Sequence, residues 1–191
     1  DGSYDNYNKN SVIISNVDEE CIEIFKKISA YLGSNYSAMN DGGVSLRIHN
    51  SVFYKFMKYA LKFDGYSDTK KIPEFISGLS NEQIKEFIRG YFSADGTVKK
   101  YEVSCSSQSY ELLEGLQTLF LRLKIISRIN DFNRKDKCIN LSISGFENIC
   151  KFRETGFLQE RKNEKLLLID KKAHHDKTDI IPLENSKMRE L

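Results

Sequence analysis

The sequence has no long hydrophobic run, because Lys and Glu interrupt every apolar stretch before it reaches the roughly 18 residues that a membrane span needs. It opens Asp1-Gly2-Ser3-Tyr4, without the basic and apolar segments of a signal peptide. Neither sign of charge is in large excess, since 29 basic and 27 acidic residues leave a net charge of +2. That balance excludes a histone-like binder but allows a locally basic face. We therefore expect an intracellular protein.

Cysteine is sparse too. The four cysteines, Cys21, Cys105, Cys138 and Cys150, have neither the CxxC spacing of a zinc ribbon nor the density of a disulfide scaffold, so we expect reduced thiols. Hydrophobic residues make up 40% of the 191 positions, which is enough to bury a core. The length suits one large domain or two small ones.

The chain is predicted to be an internal duplication. Asp1-Gly2 and Asp95-Gly96 lie 94 positions apart, and each pair precedes a strand-like run, at 11–15 and 101–106. Helical patterns follow at 18–32 and 109–123, then strand pairs around turns at 40–43 and 133–136, then helices near 52–63 and 146–155. Each half is thus strand, helix, hairpin, helix, with boundaries 1–79 and 80–191. A further helix is expected near 159–172.

The most informative stretch is 80–97. Ser80 and Gln83 form a capping-box pattern, which predicts a helix from Asn81 with a broad apolar stripe over 84–92. Gly90 and Ala94 put two small residues on one face, where a second helix could approach closely. The helix is predicted to end at Asp95-Gly96. A carboxylate at the negative end of the helix dipole suggests a bound cation.

The run Ile88-Arg89-Gly90-Tyr91-Phe92-Ser93-Ala94-Asp95-Gly96 resembles the LAGLIDADG motif of homing endonucleases, in the dodecapeptide style found in inteins. Asp1-Gly2 resembles the end of a first copy whose helix lies upstream. The resemblance implies an α+β fold of two pseudo-twofold-related αββαββα halves that form a DNA-binding saddle. We expect an apolar helix before Asp1, and without it we expect the 84–92 stripe to be exposed.

The resemblance also implies an activity, site-specific double-strand cleavage of DNA by metal-dependent phosphodiester hydrolysis. Asp1 and Asp95 would be catalytic and would bind Mg²⁺ or Mn²⁺. Lys70, just before Ile72-Pro73, would be the catalytic lysine, and Lys177 its counterpart in the second half. The implied partner is duplex DNA with a long asymmetric site. The protein would be a monomer in the cytoplasm or another DNA-containing compartment, with a possible flanking protein-splicing domain.

Further residues could contact phosphates and bases, although charges on the open face of any sheet would look the same: Tyr4, Tyr7, Arg47, His49, Lys99, Lys100, Arg128 and Lys137. The basic run 161–165 is most simply a solvated helix face. His174-His175-Asp176 has neither the helical nor the strand spacing of a metal site.

Three other functions stay open. The first is a catalytically inactive DNA-binding or regulatory protein on the same scaffold. The second is an RNA maturase, for which both acids would be dispensable. The third is a protein-interaction domain, which would have no salt-dependent affinity for nucleic acid.

Overall fold

The computed structural model describes residues 2–5, 7, 10–39, 45–130 and 138–170. These ranges contain eight strands: β1 (Gly2–Tyr4), β2 (Ser11–Ser15), β3 (Tyr36–Met39), β4 (Ser45–His49), β5 (Gly96–Val98), β6 (Glu102–Ser107), β7 (Arg128–Asn130) and β8 (Ile139–Ser144). They contain six α-helices: α1 (Glu19–Tyr31), α2 (Ser51–Lys55), α3 (Asn81–Asp95), α4 (Tyr110–Arg122), α5 (Phe146–Thr155) and α6 (Glu160–Leu167). No helix in these ranges is both long enough and apolar enough to cross a bilayer.

The strands form two antiparallel sheets with the same topology. Their orders are β1-β2-β4-β3 and β5-β6-β8-β7, so each strand of the first half has a counterpart in the second. Gly2 begins β1 opposite Ile14, and Gly96 begins β5 opposite Cys105. The predicted fold of two αββαββα-type halves is confirmed, with Gly2 and Gly96 at equivalent places in the two sheets.

Three details of the sequence-based prediction are wrong. The repeat pattern missed β1 and β5, the three-residue strands that follow each Asp-Gly pair. The helix expected at 52–63 is α-helical only over Ser51–Lys55 and continues as a π-helix, Phe56–Ala60. The last helix ends at Leu167 rather than near 172. Both predicted hairpin turns lie outside the described residues.

Helices cover one side of each sheet, and the two resulting cores differ in size. The first is a small cluster of Ile22, Phe25, Leu46 and Ile48. The second is much larger and centres on α3, α4 and α5, where the rings of Phe92, Phe120 and Phe152 lie 5.3–6.2 Å apart. Phe63, Ile72, Ile76 and Leu79, from the segment before α3, also pack against this larger core.

The apolar stripe of α3 is not exposed, contrary to expectation. Ile84, Ile88 and Phe92 are 0% exposed because they form the centre of the larger core. The open side of α3 is instead the one that carries Gly90, where an added Cβ would have no heavy atom within 4 Å among the described residues. The predicted capping box is present in full at the start of the helix, between Ser80 and Gln83.

Candidate functional site

Asp95 is the last residue of α3, at the point where the chain turns into β5. The turn needs glycine at position 96 for a steric reason. A Cβ at Gly96 would collide with the carbonyl oxygen of Phe92 and lie 2.7 Å from its ring carbon Cδ1. Gly96 therefore lets the strand leave the helix abruptly, and this holds the Asp95 carboxylate at the edge of the second sheet.

Lys70 reaches Asp95 from the segment that precedes α3. Its Nζ lies 3.9 Å from Asp95 Oδ2, and the two side chains are 38% and 28% exposed. This distance is too long for a direct hydrogen bond but places a cation and a carboxylate side by side. The structure thus brings together two of the four predicted catalytic residues. Asp1 and Lys177 lie outside the described residues.

An open cleft of about 240 Å³ adjoins Asp95. It is lined by Asp95, Thr97, Lys99, Ser104, Cys105, Ser106 and Asn140. The Ser104 hydroxyl is buried there without a hydrogen-bond partner in the described part of the chain. Ser104 and Ser106 were not predicted as site residues, although their alternation with Val103 and Cys105 in a predicted strand could have revealed them.

Burial and the negative charge of Asp95 affect two neighbouring groups. Burial, reinforced by Asp95, raises the pKa of the Cys105 thiol to about 12, although Lys70 opposes the shift. Burial also raises the pKa of the Tyr91 hydroxyl, again with a contribution from Asp95. Both groups therefore stay protonated at neutral pH, and neither is a candidate nucleophile.

Each sheet has an open face, defined here as the side opposite its helices. On the second sheet, Val103, Leu141 and Ile143 point into the core, so the alternate positions form the open face. These positions carry small polar side chains and one arginine: Thr97, Ser104, Ser106, Arg128, Asn130, Asn140 and Ser142. The cleft beside Asp95 is continuous with this open face.

The first sheet has a matching open face that includes two of the predicted DNA contacts. Arg47 lies on it, with Nη1 3.6 Å from the Asp5 carboxylate. His49 lies at the end of the same strand, its Nε2 2.8 Å from the Ser37 hydroxyl. Both side chains are on the side expected for groove contacts.

The other predicted contacts have different surroundings. Tyr4 lies on the helix side of its sheet rather than on the open face, with its ring 5.3 Å from that of Tyr54 and its hydroxyl donating to the Phe63 carbonyl. Tyr7 is 93% exposed. Lys99 pairs with Glu102 at 2.7 Å, and Lys100 lies over the ring of Tyr101. Lys137 lies outside the described residues.

The basic run at 161–165 is not simply solvated. Lys162 Nζ donates to the carbonyl oxygens of Ser93 and Gly96, each at 2.8 Å, at the end of α3. Burial lowers the pKa of this lysine.

Arg161 donates to the Asp18 carboxylate of the first half at 2.7 Å. Gln159, fully buried, bridges Asp18 and the Ser93 carbonyl at 2.8 Å each. Sequence analysis missed all three because their partners are far away along the chain.

The donor set at Asp95 suits a hard divalent cation only in part. No group of three or more Asp, Glu, His or Cys side chains gathers within the described ranges. Asp95 alone supplies a carboxylate, and its exposure leaves room for water and phosphate oxygens as further ligands. An ion held by one or two carboxylates plus substrate phosphate is a usual arrangement for Mg²⁺.

The sequence comparisons define a family and a set of longer relatives. Residues 82–155 match the model of the LAGLIDADG-like domain. The DNA-directed RNA polymerase subunit Rpo1C of Methanocaldococcus jannaschii is 33% identical over 185 residues, which cover 90% of this chain and 20% of that protein. A probable translation initiation factor IF-2 of the same organism is 31% identical over 195 residues, covering 93% and 16%. The chain thus spans a fifth or less of the length of these relatives.

Solved structures share the fold. The homing endonuclease I-DmoI superposes with a TM-score of 0.61 at 18% identity, covering 76% of this chain and 78% of its own, and it has been crystallised in complex with DNA and Mn. DUF199/WhiA from Thermatoga maritima superposes with a TM-score of 0.60 at 14% identity, covering 98% of this chain and 60% of its own. The chain therefore contains a LAGLIDADG domain, and its fold is that of these structures.

Proposed function

We propose that the protein is a site-specific, divalent-metal-dependent DNA endonuclease that cuts both strands of a long asymmetric target. The observation that carries this proposal is the pairing of Lys70 with Asp95, which lie 3.9 Å apart beside an open polar cleft, at the end of α3, the helix that carries the LAGLIDADG-like motif. A DNA-binding protein that does not cut would need the open faces but not this pair. The Lys70 ammonium would stabilise the charge that develops on a phosphate held by a divalent ion at Asp95.

Asp95 would hold the divalent ion, with Asp1 as a second ligand. A bound Mg²⁺ or Mn²⁺ would supply Lewis-acid polarisation of the phosphate and activation of water. Support for the ion comes from the carboxylate at the carbonyl end of α3 and from the Mn present in the I-DmoI complex.

We further propose that the enzyme is associated with inteins. The relatives include an RNA polymerase subunit and a translation factor, two proteins with unrelated roles. A match that covers about 90% of this chain but a fifth or less of each relative is typical of a segment inserted into different hosts. A flanking protein-splicing domain would then be part of the same polypeptide.

The open side of α3 supports a partner helix there. Within the part of the chain that the structure describes, nothing lies close over the Cα of Gly90, while the opposite side of α3 is packed into the core. Small residues at 90 and 94 would let the backbone of a first motif helix approach closely. The paired helices would bring Asp1 next to Asp95, with Lys177 serving the second strand as Lys70 serves the first.

The alternative is a LAGLIDADG protein that binds DNA without cutting it. The fold is compatible with either function, since I-DmoI and WhiA superpose equally well. The residues at the end of α3 favour the endonuclease. An RNA maturase would need neither Lys70 nor Asp95, so replacing either residue would leave its RNA-binding activity intact.

The test uses a plasmid that carries the host coding sequence with the insertion removed, incubated with the protein and Mg²⁺. We expect a single double-strand cut near the insertion point. Asp95→Asn should slow cutting by about 10³-fold and Lys70→Met by about 10²-fold, as for the loss of a group that acts on the transition state. Affinity for the target, measured in Ca²⁺, should change little.

The matched control is Lys71→Met. Lys71 is adjacent to Lys70, but its ammonium pairs with Glu111 at 3.6 Å, whereas that of Lys70 pairs with Asp95. This variant should cut at the parent rate. Tight binding to the plasmid site without any cut by the parent protein would overturn the endonuclease proposal in favour of the binding protein.

A further inference from the structure

The segment that carries Lys70, residues 67–79, runs along one face of α4. Three residues of the helix and its N-terminal flank contact it, and they are seven positions apart, which places them on one side of a helix. Gln108 accepts from the Ser67 hydroxyl at 3.2 Å, Gly115 faces Ile72, and Arg122 Nη2 donates to the Leu79 carbonyl at 2.6 Å. The segment is therefore docked along its whole length.

The backbone of Lys70 is fixed from both sides. Its N–H donates to the Tyr66 carbonyl at 2.9 Å, and its carbonyl accepts from the Ser109 hydroxyl at 2.5 Å. Gly65, with φ +122°, passes so close that an added Cβ would lie 2.8 Å from Lys70 Cα. Ser109 is also the N-cap of α4, accepting from the Leu112 N–H at 3.2 Å. One hydroxyl thus joins the start of α4 to the Lys70 peptide.

Gly115 is the point of closest approach between the helix and the segment. A Cβ at this position would lie 2.5 Å from Ile72 Cγ1 and 3.1 Å from Ile72 Cβ. Glycine within a helix costs about 1 kcal/mol relative to alanine, so a packing reason is expected, and Ile72 provides it. Ile72 is two residues from Lys70 and precedes the buried Pro73. A shift of Ile72 away from α4 would consequently move Lys70.

We propose that Gly115 and Ser109 of α4 are positioning residues that hold Lys70 against Asp95. This rests on the proposed function for the role of Lys70 in cutting, but the geometric claim can be tested apart from it. The distance of 3.9 Å between Lys70 Nζ and Asp95 Oδ2 depends on how the segment packs against α4, because the stretch around Lys70 has little regular structure of its own to hold it. A misplacement of about 1 Å can cost about 10²-fold in rate.

The experiment compares Gly115→Ala with the double variant Gly115→Ala, Ile72→Ala. The double variant adds one carbon to the helix and removes three from residue 72, including the Cγ1 atom that a Cβ at position 115 would approach to 2.5 Å. The first readout, independent of cutting, is the ¹³Cε NMR signal of Lys70, assigned with Lys70→Arg. In the parent this signal should shift when Asp95→Asn is introduced. Gly115→Ala should abolish that response, and the double variant should restore it.

The second readout is the single-turnover rate of plasmid cutting, measured with the protein in excess over the DNA. Gly115→Ala should reduce this rate by about 10²-fold while the affinity for DNA stays within a few-fold, and the double variant should regain most of the loss. Leu121→Ala is the control and should match the parent in both readouts, because Leu121 is exposed and lies about a third of a turn around α4 from Gly115.

Ser109 gives a second pair of variants should Gly115→Ala fail to fold. Ser109→Asp keeps an oxygen that caps α4 but cannot donate to the Lys70 carbonyl, whereas Ser109→Asn keeps both functions. The aspartate variant should lose the Lys70 response to Asp95→Asn, and the asparagine variant should recover it.

The outcomes separate the two proposals. An unchanged Lys70 response in Gly115→Ala or Ser109→Asp, with each variant folded, would overturn the positioning role. A response that is lost and then restored as described, in a protein that never cuts DNA, would support the positioning role and refute the endonuclease.

Discussion

Lys162 Nζ lies 2.8 Å from the carbonyl oxygen of Gly96, and the two residues belong to elements that are far apart in the sequence. The same ammonium donates to the Ser93 carbonyl, so a lysine of α6 caps the end of the motif helix. The end of a helix carries a partial negative charge, and Asp95 adds a full one there. Lys162 therefore offsets the repulsion that the Asp95 carboxylate would otherwise meet.

Lys162→Met should lower the free energy of unfolding by about 2 kcal/mol, because hydrogen bonds from a charged donor to buried carbonyls are lost. Urea unfolding followed by circular dichroism measures this change. The control is Lys165→Met in the same helix, whose side chain is exposed. Equal stability of the two variants would show that the contacts of Lys162 with α3 contribute nothing.

Asp18→Asn should remove a contribution to the free energy of unfolding that the parent protein has at neutral pH and loses in acid. Although burial opposes it, hydrogen bonds from Arg161 and Gln159 lower the pKa of Asp18 from its ordinary 3.8. Because the folded-state pKa is below the unfolded one, the ionised carboxylate stabilises the fold above about pH 4, and that contribution disappears as the pH falls through the folded pKa. At pH 7 we expect a loss of about 1 kcal/mol, the upper end for a partly exposed ion pair.

The check is urea unfolding of parent and Asp18→Asn at a series of pH values from 7 down to 3. The difference between the two proteins should shrink steadily below pH 4. Glu20→Gln, at an exposed position of α1, is the control and should follow the parent. A difference that stays constant over the whole range would rule out the ionised carboxylate as its cause.

Local signals predicted the motif helix well. The Ser80 and Gln83 capping box fixed the first residue of α3, and Asp95-Gly96 fixed the last, because both signals act within one helical turn. The duplication was also visible, since two matching orders of elements can be compared without knowing any contact. Fold and family could thus be inferred from the sequence.

Other features depend on partners distant in the chain. β1 and β5 are only three residues long and too polar for an alternating pattern, so they form because β2 and β6 pair with them. Lys162 lies in a basic run that a solvated helix face would explain equally well, and only the docking of α6 on α3 distinguishes the two. The face of the sheet that Tyr4 joins could not be predicted either, because one residue of register decides which face of a strand a side chain joins.

Gly96→Ala and Gly90→Ala should have opposite effects on stability, although both glycines belong to the motif. At position 96 the new methyl group would collide with Phe92, so we expect a loss of about 2 kcal/mol or more and a displaced Asp95. At position 90 the described residues leave open space, so in residues 1–191 alone, without the proposed partner helix, the better helix propensity of alanine should add up to about 1 kcal/mol. Thermal unfolding of both variants measures the contrast. A destabilised Gly90→Ala would mean that another segment already covers this side of α3.

The thiol next to Asp95 should be inert in the folded protein. With a pKa of about 12, Cys105 would be ionised to about one part in 10⁴ at pH 8, and its side chain is also buried. Cys138 and Cys150 are less buried, so they should react first with a disulfide reagent such as DTNB. Two fast thiols and two slow ones are expected, since Cys21 is buried as well and its pKa is also raised, mainly by burial. Peptide mapping after labelling identifies each site. Fast labelling of Cys105 would show that the end of α3 opens readily, which would be incompatible with a fixed Asp95.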